Sequence, residues 1–328
     1  MNINRPLLAV ALLFSTTVSA SNMGSIAFIH DNDGIAGTDR HYSAGMFFEF
    51  YSASSRYLAI DAPPLIQYPA KWLLNEGYQQ GWSFRLSQSI WTPSDIELEQ
   101  PQPNERPYAG TLLLGGQIYQ YTNNFSEKFQ LEAGVVGPAA LTKYGQRWLH
   151  DLIGSDSPNG WDYQVNNRGL FQLGYERQHA LQTHSYLNGL DSEFSLQGRA
   201  QMGNFRSEIA SGGVWRLGSP LGQSFGAVSF VPGRHVESGL FATSRQGWFI
   251  YSGIEMRYRL YDVTLSSDRP EPIYPVTLQR PQASMITGAT YYQPRWGASL
   301  SFITTTKTFS EDRHTFSHYG SLNMFWRV

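Results

Sequence analysis

The sequence predicts an all-β fold, a transmembrane antiparallel β-barrel of about twelve strands. Three observations predict it. Strand-length segments alternate apolar and polar residues with period two. Beyond the N-terminus, no apolar run approaches the roughly 20 residues a spanning helix requires, and a chain that crosses a membrane without such helices must close into a barrel. The first twenty residues read as an export signal, with Arg5 as the positive region, Leu7 to Phe14 as a short apolar core and Val18-Ser19-Ala20 as the small-residue cleavage site.

Residues 1–20 are therefore expected to be removed, leaving residues 21–328 as a single barrel domain. Composition agrees: 31 Gly, 19 Tyr, 19 Phe and 9 Trp suit a barrel with aromatic girdles, although a secreted β-sandwich would share this profile. A net charge of −2 without a basic block argues against nucleic acid as a partner. The absence of cysteine means that no disulfide framework holds the fold.

The alternation locates the strands. Trp82, Phe84, Leu86 and Ile90 oppose Ser83, Arg85, Ser87 and Ser89. Phe194, Leu196, Ala200 and Met202 oppose Ser195, Gln197, Arg199 and Gln201, and Trp248, Ile250, Ile254, Met256, Tyr258 and Leu260 oppose Glu255, Arg257 and Arg259. A buried sandwich face seldom opposes so many charged groups, whereas a lipid-facing wall around a polar lumen does. The expected strands are 24–31, 42–52, 80–91, 109–120, 127–137, 168–178, 192–203, 206–217, 247–261, 283–292, 296–306 and 317–328. With the termini in the periplasm, the loops near 32–41, 92–108 and 138–167 face outward. The connections near 53–79 and 218–246 are long for periplasmic turns, and one of them is expected to hide a strand pair or a small helix.

The three outward loops carry the polar clusters. Asp31-Asn32-Asp33 with Thr38-Asp39-Arg40-His41-Tyr42-Ser43 is rich in oxygen donors, as a hard cation such as calcium would need, but taken alone the segment better fits a solvated turn of Asp, Asn and Gly. Arg106, in Asn104-Glu105-Arg106-Pro107-Tyr108-Ala109-Gly110, either binds a phosphate or pairs with a carboxylate, or else is merely solvated in a loop whose two prolines fix its shape. After Gly137-Pro138 the alternation stops, and Gln146 and His150 at i, i+4 share one face of a short helix. His150 is a candidate general base, since imidazole titrates near neutrality; with eight histidines in the chain, it is also a candidate girdle residue.

Taken together, Asn32-Asp33, Thr38-Asp39-Arg40, Tyr42-Ser43-Ala44-Gly45, Thr92-Pro93 with Asp95, Arg106-Pro107-Tyr108-Ala109-Gly110, Gly137-Pro138, Gln146 with His150, and Gly160-Trp161 with Gln164 resemble the LpxR-type lipid A deacylases. The resemblance covers most of the mature chain. It implies a twelve-stranded outer-membrane barrel and a calcium-dependent (Ca2+) hydrolysis of the 3′-O-linked acyloxyacyl chain of lipid A. By the same resemblance His150 is the catalytic base, Asn32 and Asp33 form the active-site dyad with the aspartate at the metal, and Ser43, Gln146 and Asp156 complete the site. Ser43 stands where family members often carry threonine, and Asp156 where a glutamate is usual. A basic pair after the Thr-Pro motif is replaced by Glu97, Leu98 and Glu99, which leaves Arg106, Lys143 and Arg147 as expected contacts to the lipid phosphates. The expected partner is lipopolysaccharide in the outer membrane, and the expected state is a monomer. Two rival readings are a serine lipase built on His314, Ser317, His318 and Ser321, and a pore or structural barrel without activity.

Overall fold

The computed structural model describes residues 24–37, 41–153, 157–187 and 189–328, with the side chains of 148–153 left aside. The expected signal segment 1–20 and Asp156 lie outside the described residues. The strands are β1 (Ser25–Asn32), β2 (His41–Tyr51), β3 (Gln79–Thr92), β4 (Ala109–Tyr121), β5 (Phe125–Val136), β6 (Arg168–Ser185), β7 (Asp191–Gly203), β8 (Arg206–Ser219), β9 (Gly247–Asp262), β10 (Pro281–Tyr292), β11 (Trp296–Thr306) and β12 (Phe316–Arg327). Each pairs antiparallel with its neighbour in sequence, and β1 pairs with β12, from Ser25 opposite Arg327 to Asn32 opposite Gly320, so the barrel closes and leaves no edge.

The expected strands match within a few residues except β6, which runs seven residues beyond 178. Its last turn of sequence, Gln-Thr-His-Ser, is polar and exposed, but its backbone pairs with Asp191–Phe194 of β7 beyond a bulge at Ala180/Gln182. Partner hydrogen bonds extend the strand where the apolar pattern has already ended.

Period two puts two chemistries on one wall. Phe84, Leu86, Leu196, Ile254, Met256 and Phe302 are exposed on the outside. Inside, charges are buried in pairs: Arg199 bonds Glu208 and Glu255, Arg216 bonds Glu193, and Lys128 bonds Glu176 and Glu237. A buried charge is tolerable only when paired in this way.

The two long connections at the rim of the termini part ways. Residues 53–78 hold helices α1 (Leu58–Asp61) and α2 (Pro64–Leu73), whose Leu58, Ile66 and Ala70 pack on Trp82, Ile118 and Phe129 of the outer wall. Residues 220–246 instead fold back into the lumen. Phe225, Val228, Phe230, Leu240 and Phe241 pack against the inward Ile29, Phe47, Tyr51, Phe249 and Phe325. Its polar side chains complete the lumen pairs, Glu237 with Lys128 and Gln117, and Arg234 with Gln117. This plug was not foreseen as such. Its local pairing amounts to the bridge Val228/Val236, a few turn hydrogen bonds and a 3-10 turn at Ser238–Phe241.

Among the described residues, the far rim collects 33–37, 93–108, 137–153, 157–167, 204–205, 263–280 and 307–315. Helix α3 (Thr142–Ile153) lies among them, packed on β3 and β4.

Candidate active site

At the end of β1, consecutive residues face opposite sides of the wall. Asp31 points into the lumen, where its Oδ2 accepts from Tyr42 Oη (3.0 Å) and from the backbone N–H of Gly233 at the apex of the plug (2.8 Å). The left-handed φ of +68° and the crowding of Arg85 and Phe47 around a would-be Cβ explain glycine at 233. Asn32 caps the following 3-10 turn Asp33–Ala36, its Oδ1 accepting from Gly34 N at 2.8 Å. Asp33 in that turn is buried, 3 % exposed. The turn closes at Gly37 in the left-handed region and rests on β12, where Ile35 fills the space that a Cβ on Gly320 would take.

A bulge between Tyr42 and Ala44 sets β2 against β3. Tyr42 packs against Tyr319 and Trp91 at centroid distances of 4.9 and 5.6 Å. Ser43 Oγ lies 2.6 Å from Thr92 Oγ1, both buried.

The helical element arises as its punctuation suggests, one step later. Pro138 opens a 3-10 turn, Pro138–Ala140, Leu141 adopts φ +58°, and α3 begins at Thr142. Gln88 Nε2 of β3 donates to Ala140 O at 2.7 Å, and Thr142 occupies the place a side chain at Gly110 would need. Gln146 is buried and accepts from Trp161 Nε1 at 2.9 Å. Trp161 packs on Tyr108 at 5.0 Å, joined by Ile90 and Ile96 in a small cluster outside the barrel. His150 belongs to α3, and its side chain lies outside the described residues.

The cations expected at substrate divide. Lys143 Nζ lies 2.5 Å from Asp162 Oδ1, and its hydrogen bond and charge hold that carboxyl below its ordinary range. Arg147 is exposed on the same helix. Arg106, by contrast, is 4 % exposed, donates from Nη2 to Thr264 Oγ1 at 2.8 Å and lies over Trp91. Burial draws its pKa down to about 9, with Asp262 acting against that, so it remains cationic at neutral pH but faces the interior of the rim. The placement gives it the work of anchoring the 93–108 loop, which the Arg-Pro-Tyr motif alone does not reveal.

The rival serine cluster does not assemble. Ser321 is buried on the lumen side, while His318 Nδ1 sits 2.9 Å from Thr304 Oγ1, on the opposite face of β12. Sequence reasoning missed Gly233 and the partnership of Trp161 with Gln146. The signal for the first was a 29-residue segment, 218–246, with far more apolar residues than an exposed turn requires.

A plugged lumen, an apolar outer wall and a cluster of polar groups at one rim define an outer-membrane β-barrel. The model of the outer membrane protein LpxR family matches residues 7–328, and the chain belongs to that family, the lipid A 3′-O-deacylases, which are ester hydrolases of the outer membrane. LpxR from Salmonella typhimurium shares the fold, with a TM-score of 0.76 at 20 % identity over 92 % of this chain and 99 % of that one. The β domain of the Bordetella autotransporter BrkA aligns at a TM-score of 0.43 and 7 % identity over 93 % and 98 % of the two chains. No curated protein matches in sequence.

Proposed function

We propose that this protein is a calcium-dependent esterase that removes the 3′-O-linked acyloxyacyl chain of lipid A by histidine-activated attack of water. The observation that carries the reading is the gathering of Asn32, Asp33, Ser43, Thr92 and α3 at one rim of the barrel, with the lumen below filled by the plug. A substrate whose acyl chains stay in the membrane must be met there, beside the wall.

In this reading His150 takes a proton from water, and the resulting hydroxide attacks the ester carbonyl carbon. Collapse of the tetrahedral adduct breaks the bond to the 3′ oxygen, and His150 returns the proton to that leaving oxygen. The products are the released acyloxyacyl chain as its free carboxylic acid, with its own secondary ester intact, and a lipid A with a free 3′ hydroxyl. Gln146, held by Trp161, fixes the rotation of α3 and so the approach of His150. Ser43 and Asn32 orient water or donate toward the carbonyl oxygen, with Asp156 a further carboxylate of the site. Lys143 and Arg147 meet the lipid phosphates, with Asp162 as the competing partner of Lys143.

Calcium fits the residues beside this position: the buried carboxylate of Asp33, the amide oxygen of Asn32 and the hydroxyls nearby form a set of oxygen donors only. Bound there, the ion would supply positive charge to the ester carbonyl oxygen. The protein is expected to act as a monomer. Incubation with lipid A, with and without EDTA, tests the reading: activity is expected to vanish in chelator and return with calcium, and activity indifferent to EDTA would exclude the metal.

A further inference from the structure

A second cluster of ligand-bearing side chains, unlike the Asn32–Asp33 turn in chemistry, lies at the same rim. His41 opens β2, and Asp312 and His314 lie in the β11–β12 loop. One ligand atom of each residue lies within 4.8 Å of the others, and this is the only such group of three among the described residues. His41 Nε2 is 3.1 Å from Asp312 Oδ2, and His314 Nδ1 is 3.6 Å from Asp312 Oδ1. Ligands about 2.0–2.1 Å from a tetrahedral zinc stand about 3.3 Å apart, so the separation of His41 Nε2 from Asp312 Oδ2 already matches one edge of such a site, and His314 approaches the other oxygen of the same carboxylate.

Three further features point the same way. His41 is buried, and apart from their own 3.1 Å approach neither its ring nitrogens nor Oδ2 of Asp312 has a hydrogen-bond partner. Leaving such groups buried and unbonded is costly unless something else satisfies them. His41 also holds a left-handed φ of +70°, a conformation rare outside glycine, with its ring set edge-on against Phe309 at 5.7 Å. Finally, Asp312 Oδ1 accepts from the backbone N–H of His314 at 2.9 Å, which fixes the carboxylate and leaves Oδ2 free to ligate. The His314 side chain is 43 % exposed, so the fourth position opens to water.

We propose that His41, Asp312 and His314 form a binding site for a borderline divalent transition-metal ion of the zinc type. Two imidazoles and one carboxylate suit such an ion and not calcium, which takes oxygen ligands. The ion ties the β11–β12 loop to the root of β2, two residues before Ser43, and so stiffens the rim. The site stands independently of the deacylase mechanism.

Titration of the untagged, EDTA-stripped protein in detergent with zinc alone tests it, with cobalt as a spectroscopic substitute. The expected result is one zinc per chain, a visible absorption band of tetrahedral cobalt, and retention of zinc in excess calcium. His314→Ala, in an exposed loop, is expected to weaken zinc binding by at least about 10–100-fold while the barrel stays folded, and Asp312→Asn to do the same. No zinc retained, zinc displaced by calcium, or equal binding by His314→Ala would overturn the proposal and leave His41–Asp312 a simple ion pair.

Discussion

The inner and outer faces of the barrel wall are made of the same strands and meet opposite demands. Inward, Lys128, Arg199, Arg216 and Arg234 are locked among carboxylates and the plug. At the outer rim, Asn32 and Ser43 are held by single hydrogen bonds, and α3 by Gln146 with Trp161 and Lys143 with Asp162. The change occurs between adjacent residues: Asp31 is gripped from inside by Gly233 and Tyr42, and Asn32 begins the outer turn. Buried ion pairs therefore hold the lumen, the proposed chemistry lies outside it, and β1 is the joint between them.

Substitutions separate the two. His150→Ala is expected to lower deacylation by about 100–10,000-fold without changing the heat-resistant mobility of the folded barrel in detergent gels. Lys128→Ala should do the reverse, because it leaves Glu176 and Glu237 buried without their cation; a loss of about 3–5 kcal/mol in urea unfolding is expected, with turnover of the folded fraction preserved. Gly233→Val probes the joint. Its side chain would collide with Arg85 and Phe47 and lift the plug from Asp31, so turnover should fall about 10–100-fold through misplacement of the Asn32 turn. An unchanged rate in Gly233→Val would show that the two faces are uncoupled.

Smaller effects are confined to the outside. Trp161→Phe leaves Gln146 Oε1 buried without its donor, at a cost of about 1–3 kcal/mol read as faster amide exchange in α3. Lys143→Ala and Arg147→Ala should each raise KM a few-fold for phosphorylated lipid A, less so at high salt, because both are partly solvated.

The barrel was legible because alternation is a direct consequence of a wall with lipid on one side and polar groups on the other. Arg85, Arg199 and Glu255 announce the lumen as plainly as Phe84, Leu196 and Ile254 announce the membrane. The site was legible only in outline. Punctuation at Gly137-Pro138 placed a helix, and i, i+4 spacing aligned Gln146 with His150, but nothing local tells that Arg106 turns inward to Thr264. The plug escaped because its contacts are long-range: Glu237 finds Lys128, and Gly233 finds Asp31, across more than a hundred residues. Periodicity reports a segment's own faces and carries no information about such partners.

In the proposed reading, the outer face of the rim hydrolyses one ester of lipid A through His150. Mass spectrometry of lipid A from cells producing the wild-type chain or His150→Ala tests it most directly. Loss of a single 3′-acyloxyacyl unit with the wild type, and an intact lipid A with the variant at equal barrel abundance, is the expected result. An unaltered mass with the wild type, or deacylation persisting in the variant, would contradict it.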